Sequence, residues 1–248
     1  RLPRWPDEEL NPTGVLVWND QFGIGEEVMY LGAIAQLAER VDRLVISCSA
    51  KLEGLVQRSF PRLDVSSAEL VATSDPDLGD RPSEISLIGA ISSIRRSFAD
   101  FPRHQGYLVA DPVRVAAFRD RYLDPSGRPL VGISWSSPLG FQGPRKSVPL
   151  LDWGPIFRAL PARFVSLQYN ASPDEIIEAR EHHGVDILVD PDLDSFADLD
   201  GHAAQIAAMD RVVSISSIAA HLAGALGKPV DMIYPNEIAL LWYWFHDR

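Results

Sequence analysis

Short apolar, β-branched runs alternate with segments of helical spacing along the whole chain. Val15 to Trp18 predicts a buried strand, followed by a glycine turn and an amphipathic helix over about 26–40, with Val28, Leu31, Ala35 and Ala38 on one face. The pattern then predicts a strand over 43–48, a helix over 51–58, a short strand at 64–65 and a loop over 72–83 rich in Ser, Asp, Pro and Gly. Helices follow over 85–98 and 111–122. Asp124-Pro-Ser-Gly-Arg-Pro129 reads as a linker, after which the rhythm restarts. Strands are predicted over 130–135, 163–168, 186–189, 211–215 and 230–234, with helices over 152–160, 173–183, 201–209 and 218–226. Such alternation means parallel sheets with crossover helices. The fold class predicted is α/β, with two Rossmann-like domains, 1–128 and 129–248, facing each other across a cleft. In sheets of this kind ligands bind beyond the carboxyl ends of the strands.

Composition narrows the function classes. The 248 residues are 46% hydrophobic and 23% charged, as expected of a soluble protein with a substantial core. No apolar run reaches the length of a membrane span, no signal peptide is visible, and the single cysteine, Cys48, rules out an internal disulfide. A cytoplasmic location is the expectation. Net charge is −11, with 15 basic against 19 acidic residues up to residue 128 and 8 against 15 beyond it. Neither half has the basic face that nucleic acid requires. Within the acidic second half, Arg145 and Lys146 stand side by side, which reads either as an anion site or as a solvated surface pair.

The candidate chemistry lies in loops that follow strands. The most informative stretch runs from Asp210 to Val230. A strand there enters a helix rich in small residues through Ser216-Ser217, with Ser216 or Ser217 as N-cap, Gly227 as C-cap and His221 one turn in. The junction leaves free N–H groups and a positive dipole end at a sheet edge, where phosphates bind; the alternative is an ordinary strand–helix unit. Gly23-Ile-Gly25-Glu26 lacks the third glycine of a dinucleotide fingerprint. It places Glu26 at a helix N-terminus, either as a helix-stabilising charge or as a base aimed into a cleft. The hydroxyls of Ser136 and Ser137 either donate to phosphate or make the turn. The loop from there to Pro149 is long for a compact domain, which favours a functional role. Gln168, Tyr169 and Asn170, and farther on Pro235-Asn236, are candidates for base or sugar contacts. The histidines show no metal spacing, and the acidic run from Asp190 to Asp200 lacks the glycine and final glutamate of a calcium loop.

Four segments occur in one order: Val15-Leu-Val-Trp with Gly23-Ile-Gly-Glu26; Val131-Gly-Ile-Ser-Trp135 with Arg145-Lys-Ser-Val-Pro149; Phe164-Val-Ser-Leu-Gln168; and Ser217 with His221-Leu-Ala-Gly-Ala-Leu-Gly-Lys-Pro229. Over roughly residues 13 to 245 this order resembles the bacterial glycosyltransferase domain that often follows tetratricopeptide repeats. That domain is related to the heptosyltransferases of glycosyltransferase family 9. The resemblance implies a GT-B fold, with acceptor on the first domain and nucleotide sugar on the second, and no metal or other cofactor. It implies an inverting transfer of sugar to a hydroxyl of a glycan or protein. Glu26 falls where heptosyltransferases carry an aspartate as general base, with Gly23 and Gly25 beside it on the acceptor side. Ser136, Ser137 and Lys146, with Arg145 adjacent, fall where donor phosphates are held. Ser217 and His221 match the threonine and histidine of an Asp-Thr-x-x-x-His segment, whose aspartate is Ser216 here. Two further expectations follow: upstream tetratricopeptide repeats that bind a protein partner, and no C-terminal helix crossing back to the first domain. The loss of charge at Ser216 keeps a second reading open, a non-catalytic nucleotide-sugar-binding or scaffold domain. A nucleotide-sugar epimerase is a third.

Overall fold

The computed structural model describes residues 14–18, 23–67, 78, 80–103, 106–137 and 143–234. Strands are β1 Gly14–Trp18, β2 Arg43–Cys48, β3 Asp64–Ser67, β4 Pro82–Ser86, β5 Leu130–Ser134, β6 Arg163–Ser166, β7 Ile187–Leu188, β8 Arg211–Ile215 and β9 Val230–Ile233. Helices are α1 Ile24–Leu31, α2 Ile34–Ala38, α3 Glu53–Ser59, α4 Leu87–Ile94, α5 Pro112–Tyr122, α6 Gly143–Lys146, α7 Gly154–Ala159, α8 Pro173–His183, α9 Leu199–Ala207 and α10 Ile218–Ala225. Two compact units part between Val109 and Ala110.

The first unit holds a parallel sheet in the order β3-β2-β1-β4. Val15, Val17, Val28, Leu31, Ile34 and Leu37 are fully buried in it, so the strand and helical periodicities meet in one core. The single helix predicted over 26–40 is two. Tyr107 donates its hydroxyl proton to the Val28 carbonyl at 2.8 Å, and Arg95 donates to the Gly32 carbonyl. A Cβ on residue 32 would lie 3.0 Å from the Tyr107 ring, so the break falls at the one residue that lets the ring approach. Pro82–Ser86, placed by the sequence partly in a loop and partly in a helix, is a strand paired in register along β1 from Gly14↔Pro82 to Trp18↔Ser86. Its Ser86 hydroxyl then accepts the Gly89 N–H at 3.1 Å and starts α4.

The second unit is a parallel sheet in the order β7-β6-β5-β8-β9. From β5 the chain goes to β6 and β7 on one side, then returns to β8 and β9 on the other. The strand order therefore reverses between β5 and β8, the place where α/β sheets bind ligands. Val131, Ile133 and Trp135 alternate onto one face of β5, packed with Leu150, Trp153 and Phe164. Trp135 and Trp153 are fully buried. Gly132 faces the other side, where a Cβ would come 2.4 Å from Leu167 Cδ1.

The expected boundary lay after Arg128, but α5 packs with the second unit. Asp111 caps it, accepting the N–H groups of Val113 and Arg114, and Pro112 occupies its first turn. Arg114 pairs with Asp198 and Arg119 with Asp210. Arg121 reaches the buried Asp190 at 2.7 Å. The Tyr122 hydroxyl donates to Asp190 at 2.6 Å and accepts from Gln205 Nε2 at 3.1 Å, while His202 Nδ1 lies 3.2 Å from Gln205 Oε1. A linker-like hexapeptide thus follows a helix that already belongs to the next unit; its Asp124 accepts from Ser126 and Arg128.

Burial pushes the His202 imidazole down to about 4. A histidine depressed in the folded state contributes stability above its unfolded value near 6.5, and that stability is lost as pH falls toward 4. Urea denaturation of the protein from pH 7 to pH 4 is expected to show stability falling with a slope of up to about 1.4 kcal/mol per pH unit from this group. His202→Gln should flatten that slope, and an unchanged slope would rule out His202 as its source.

Candidate functional site

The carboxyl edge of the second sheet is held by one side chain. Gln168, just beyond β6, turns inward, and its Oε1 accepts three protons: from Trp135 N–H at 3.1 Å, Ser136 N–H at 3.0 Å and Ser134 Oγ at 3.2 Å. Its Nε2 donates to the Tyr169 carbonyl at 3.0 Å. Both ends of the amide bond the chain itself, and Gln168, a candidate for donor contact, shapes the turn that follows β5. The next turn is made by Asn170, whose φ of 54° is the left-handed conformation that asparagine tolerates.

Across the switch point, Ser217 is the N-cap residue of α10 but caps nothing with its side chain. Its hydroxyl lies instead 3.2 Å from Ser134 Oγ and 2.9 Å from Ser214 Oγ. The Ser217 side chain thus leaves the Ile218 and Ala219 N–H groups uncapped at the positive end of the helix dipole, while the Ala220 N–H donates to the Ser217 carbonyl at 3.1 Å. Ser216 beside it is buried. The helix closes as predicted: Gly227 has a φ of 73°, and Lys228 N–H donates to the Ala223 carbonyl at 2.8 Å.

The long loop after Trp135 returns to the same edge. Its described part holds α6, and Ser147 Oγ accepts the Ser137 N–H at 2.9 Å while donating to the Gly143 carbonyl at 2.8 Å. The Val148 N–H donates to the Trp135 carbonyl at 2.9 Å. This brings Lys146 near His221, whose imidazole is pushed down to about 4 by burial and then by the Lys146 charge. His221 is neutral at pH 7, with one ring nitrogen protonated and the other not. Arg145 is on the exposed side of α6. Ser136, Ser137, Lys146, Ser217 and His221 are thus gathered at one edge, with an open depression of about 400 Å³ walled by Ser136, Ser137, Pro144, Ser147 and Glu175. Trp135 Nε1–H donates to Glu175 at 3.3 Å and closes one side. Ser134, Ser147 and Glu175 were not foreseen. Ser134 could have been, since it ends the strand whose next residues were singled out.

In the first unit Gly23 precedes α1 and Glu26 lies in its first turn. A Cβ on residue 23 would stand 2.8 Å from Glu26 Oε2, so the glycine lets this carboxylate fold back over the helix N-terminus. Gly25 is in the same turn and half-buried. The adjacent Glu27 has a different environment. It is 1% exposed, and its carboxylate accepts the Ser49 N–H at 2.8 Å and the Ser49 hydroxyl at 2.5 Å. Burial raises its pKa despite these bonds, and with burial its charge lifts the neighbouring Cys48 thiol to about 12. Glu27 was also missed, although it precedes Leu31 and Ile34 by four and seven residues, on the helix face that is buried.

Among the described residues no group of three or more His, Cys, Asp or Glu is placed to hold a metal ion, and no helix is long and apolar enough to cross a membrane. Pro235-Asn236 lies outside the described residues.

No protein-family model matches the chain. Protein FlbA of Caulobacter vibrioides is 30% identical over 243 residues, spanning 93% of this chain and 41% of FlbA, so the chain covers under half of that relative. Among solved structures, a glycosyl transferase family 9 protein from Veillonella parvula matches with a TM-score of 0.66 at 12% identity, over 93% of this chain and 83% of its own. The ADP-heptose heptosyltransferase II of E. coli matches with a TM-score of 0.58 at 16% identity, over 89% and 84%. TibC of enterotoxigenic E. coli, described as an iron-containing dodecameric glycosyltransferase, matches with a TM-score of 0.57 at 14% identity, over 94% and 59%. With its two parallel α/β units, the chain has the GT-B fold of the family 9 heptosyltransferases.

Proposed function

We propose that the protein is an inverting, metal-independent glycosyltransferase that moves a sugar from a nucleotide sugar to a hydroxyl acceptor. One observation carries this reading. At the strand-order reversal of the second sheet, a helix N-terminus without a side-chain cap stands beside Lys146 and the neutral His221. That set suits a diphosphate: backbone N–H groups and a helix dipole receive the charge, and an ammonium and an imidazole N–H complete it. The fold shared with ADP-heptose transferases supports a nucleotide sugar as the class of ligand.

In this mechanism the sugar–phosphate bond breaks as the acceptor oxygen attacks from the opposite face. Charge grows on the departing phosphate, where Lys146, His221, Ser136 and the first N–H groups of α10 stabilise it electrostatically. Ser137 and Ser217 are bonded within the site and hold its shape. Gln168 positions the 134–136 turn. Glu26 takes the acceptor proton. Both oxygens of Glu27 already accept from Ser49, so of the two neighbouring glutamates only Glu26 is open to a substrate. Glu27 acts as the positioning residue that anchors α1.

A second reading, a non-catalytic nucleotide-sugar-binding or scaffold domain, is favoured by one feature. Ser216 is neutral and buried where the resembling enzymes carry an aspartate. It predicts nucleotide binding without turnover.

Calorimetry with nucleoside diphosphates tests the nucleotide binding that both readings share, and turnover separates them. Lys146→Ala is expected to weaken binding by about 1.5–3 kcal/mol, the range of a charge-assisted hydrogen bond, and chelator is expected to leave the affinity of the unmodified protein unchanged. Undiminished affinity in the variant removes Lys146 from the site. Binding lost in chelator and restored by magnesium, manganese or iron overturns metal independence.

Glu26→Gln keeps the size of the side chain and removes its basicity. Transfer is expected to fall about 100-fold or more, with donor affinity and urea midpoint retained. Full transfer by this variant would dismiss Glu26 as the base, whereas no turnover by the unmodified protein with any nucleotide sugar favours the scaffold reading.

A further inference from the structure

The amino edge of the second sheet carries a second cavity, of about 650 Å³, whose wall includes Arg128, Arg158, Arg163, His182 and His183. Arg128 precedes β5, Arg163 begins β6, and the two histidines end α8. The Ser134–Gln168–Ser217 cluster lies at the other end of these strands. Five residues of β5 separate the two edges by roughly 15 Å, at about 3.3 Å per residue.

The charges in this cavity are unevenly matched. Arg128 pairs with Asp124 at 2.5 Å, and Asp186, the acid in the wall, pairs with Arg180 at 2.9 Å. Among the described residues no carboxylate pairs with Arg158 or Arg163. In a chain of net charge −11, two guanidiniums without acidic partners at one cavity mark a place for an anion.

The wall also has a built shape. His183 Nε2 is 2.9 Å from the Leu151 carbonyl, which can only accept, so Nε2 carries the proton and the ring is fixed. A Cβ on Gly154 would lie 2.8 Å from His183 Cε1 and 3.0 Å from Arg158 Nη1. The glycine therefore lets the Arg158 guanidinium and the His183 ring close together over the start of α7. Beneath them Phe157 meets Phe164 edge-on at 5.0 Å, giving the cavity an apolar floor.

We propose that this cavity binds a phosphate group, free or as the end of a small phosphate monoester, through the guanidiniums of Arg158 and Arg163. The planar guanidinium fork matches phosphate oxygens in pairs, and the phenylalanine floor takes the body of an ester. The site is separate from the donor edge and does not rest on the transferase reading.

The test is calorimetric titration of the whole chain with inorganic phosphate and with phenyl phosphate. Arg158→Ala and Arg163→Ala are expected to weaken both by at least about tenfold, while leaving nucleoside diphosphate affinity unchanged. Arg158→Lys keeps the charge and loses the fork, so it should fall between. Gly154→Ala should weaken binding by displacing Arg158 and His183. Circular dichroism and urea midpoints confirm that each variant folds. Tighter binding of phenyl phosphate than of inorganic phosphate identifies an ester as the ligand, and equal affinity identifies the free ion. Phosphate binding that is unaffected in both arginine variants, or lost in Lys146→Ala instead, overturns the proposal, as does no binding of either probe at millimolar concentration.

Discussion

The amide oxygen of Gln168 is the constraint on which the carboxyl edge of the second unit's sheet depends. A strand's carboxyl end is a weak point, because its last N–H groups leave the ladder just where the chain must turn toward solvent. Here one buried oxygen accepts from Trp135 N–H, Ser136 N–H and Ser134 Oγ. Ser134 Oγ in turn touches Ser217 Oγ across the switch point, so β6, β5 and β8 end in one bonded cluster. The first unit solves the same problem in the same gap between its first two strands. There the Glu27 carboxylate, on the helix after β1, accepts both the N–H and the hydroxyl of Ser49, just after β2. One unit uses a neutral amide and the other a carboxylate. The second choice costs desolvation, which is why burial raises the Glu27 pKa, and the two Ser49 bonds offset that cost in part.

With the turns fixed from behind, side chains that would otherwise cap and close the edge are released from that task. Ser217 stands at the N-cap position with extended backbone, φ −138° and ψ 172°, yet its hydroxyl bonds inward to two serines. The usual cap would have satisfied one of the first N–H groups of α10 internally. Turning the hydroxyl away leaves the Ile218 and Ala219 N–H groups without that cap. Ser147 plays the matching role on the loop, bonding Ser137 N–H and the Gly143 carbonyl and thereby bringing α6 and Lys146 to the edge.

The strand–helix rhythm made most of the second unit legible, because its elements are apolar and regular: β8, α10 and the glycine that ends α10 lie within a residue of their predicted places. What escaped was set by contacts distant in sequence. β4 reads Pro-Ser-Glu-Ile-Ser, with one large apolar residue, and is a strand because β1 offers it a partner along its whole length. The α1–α2 break depends on Tyr107 and Arg95, some 60 to 80 residues away. The place of α5 depends on Asp190, Asp198, Gln205 and Asp210, which no local pattern links to residues 112–122. In the candidate site, Ser136, Lys146, Ser217 and His221 could be named from spacing and resemblance. The inward turn of Gln168 could not, since it depends on where the neighbouring strand ends.

The charge balance of the candidate edge follows from the same geometry. On the proposed reading a diphosphate would bring two or more negative charges into a unit that is already acidic, which calls for a locally positive edge that does not rely on surface cations screened by salt. Position 216 is only 7% exposed. A carboxylate there would set a buried negative charge against the incoming phosphates unless its own partners neutralised it. Serine removes that charge beside the helix dipole and Lys146. His221 fits this arrangement by being neutral: burial and the Lys146 charge hold it near 4, so at pH 7 it adds a hydrogen-bond donor without adding a second buried cation. On the proposed reading the edge would take its anion affinity from fixed backbone dipoles and one ammonium, set in position by the fold itself.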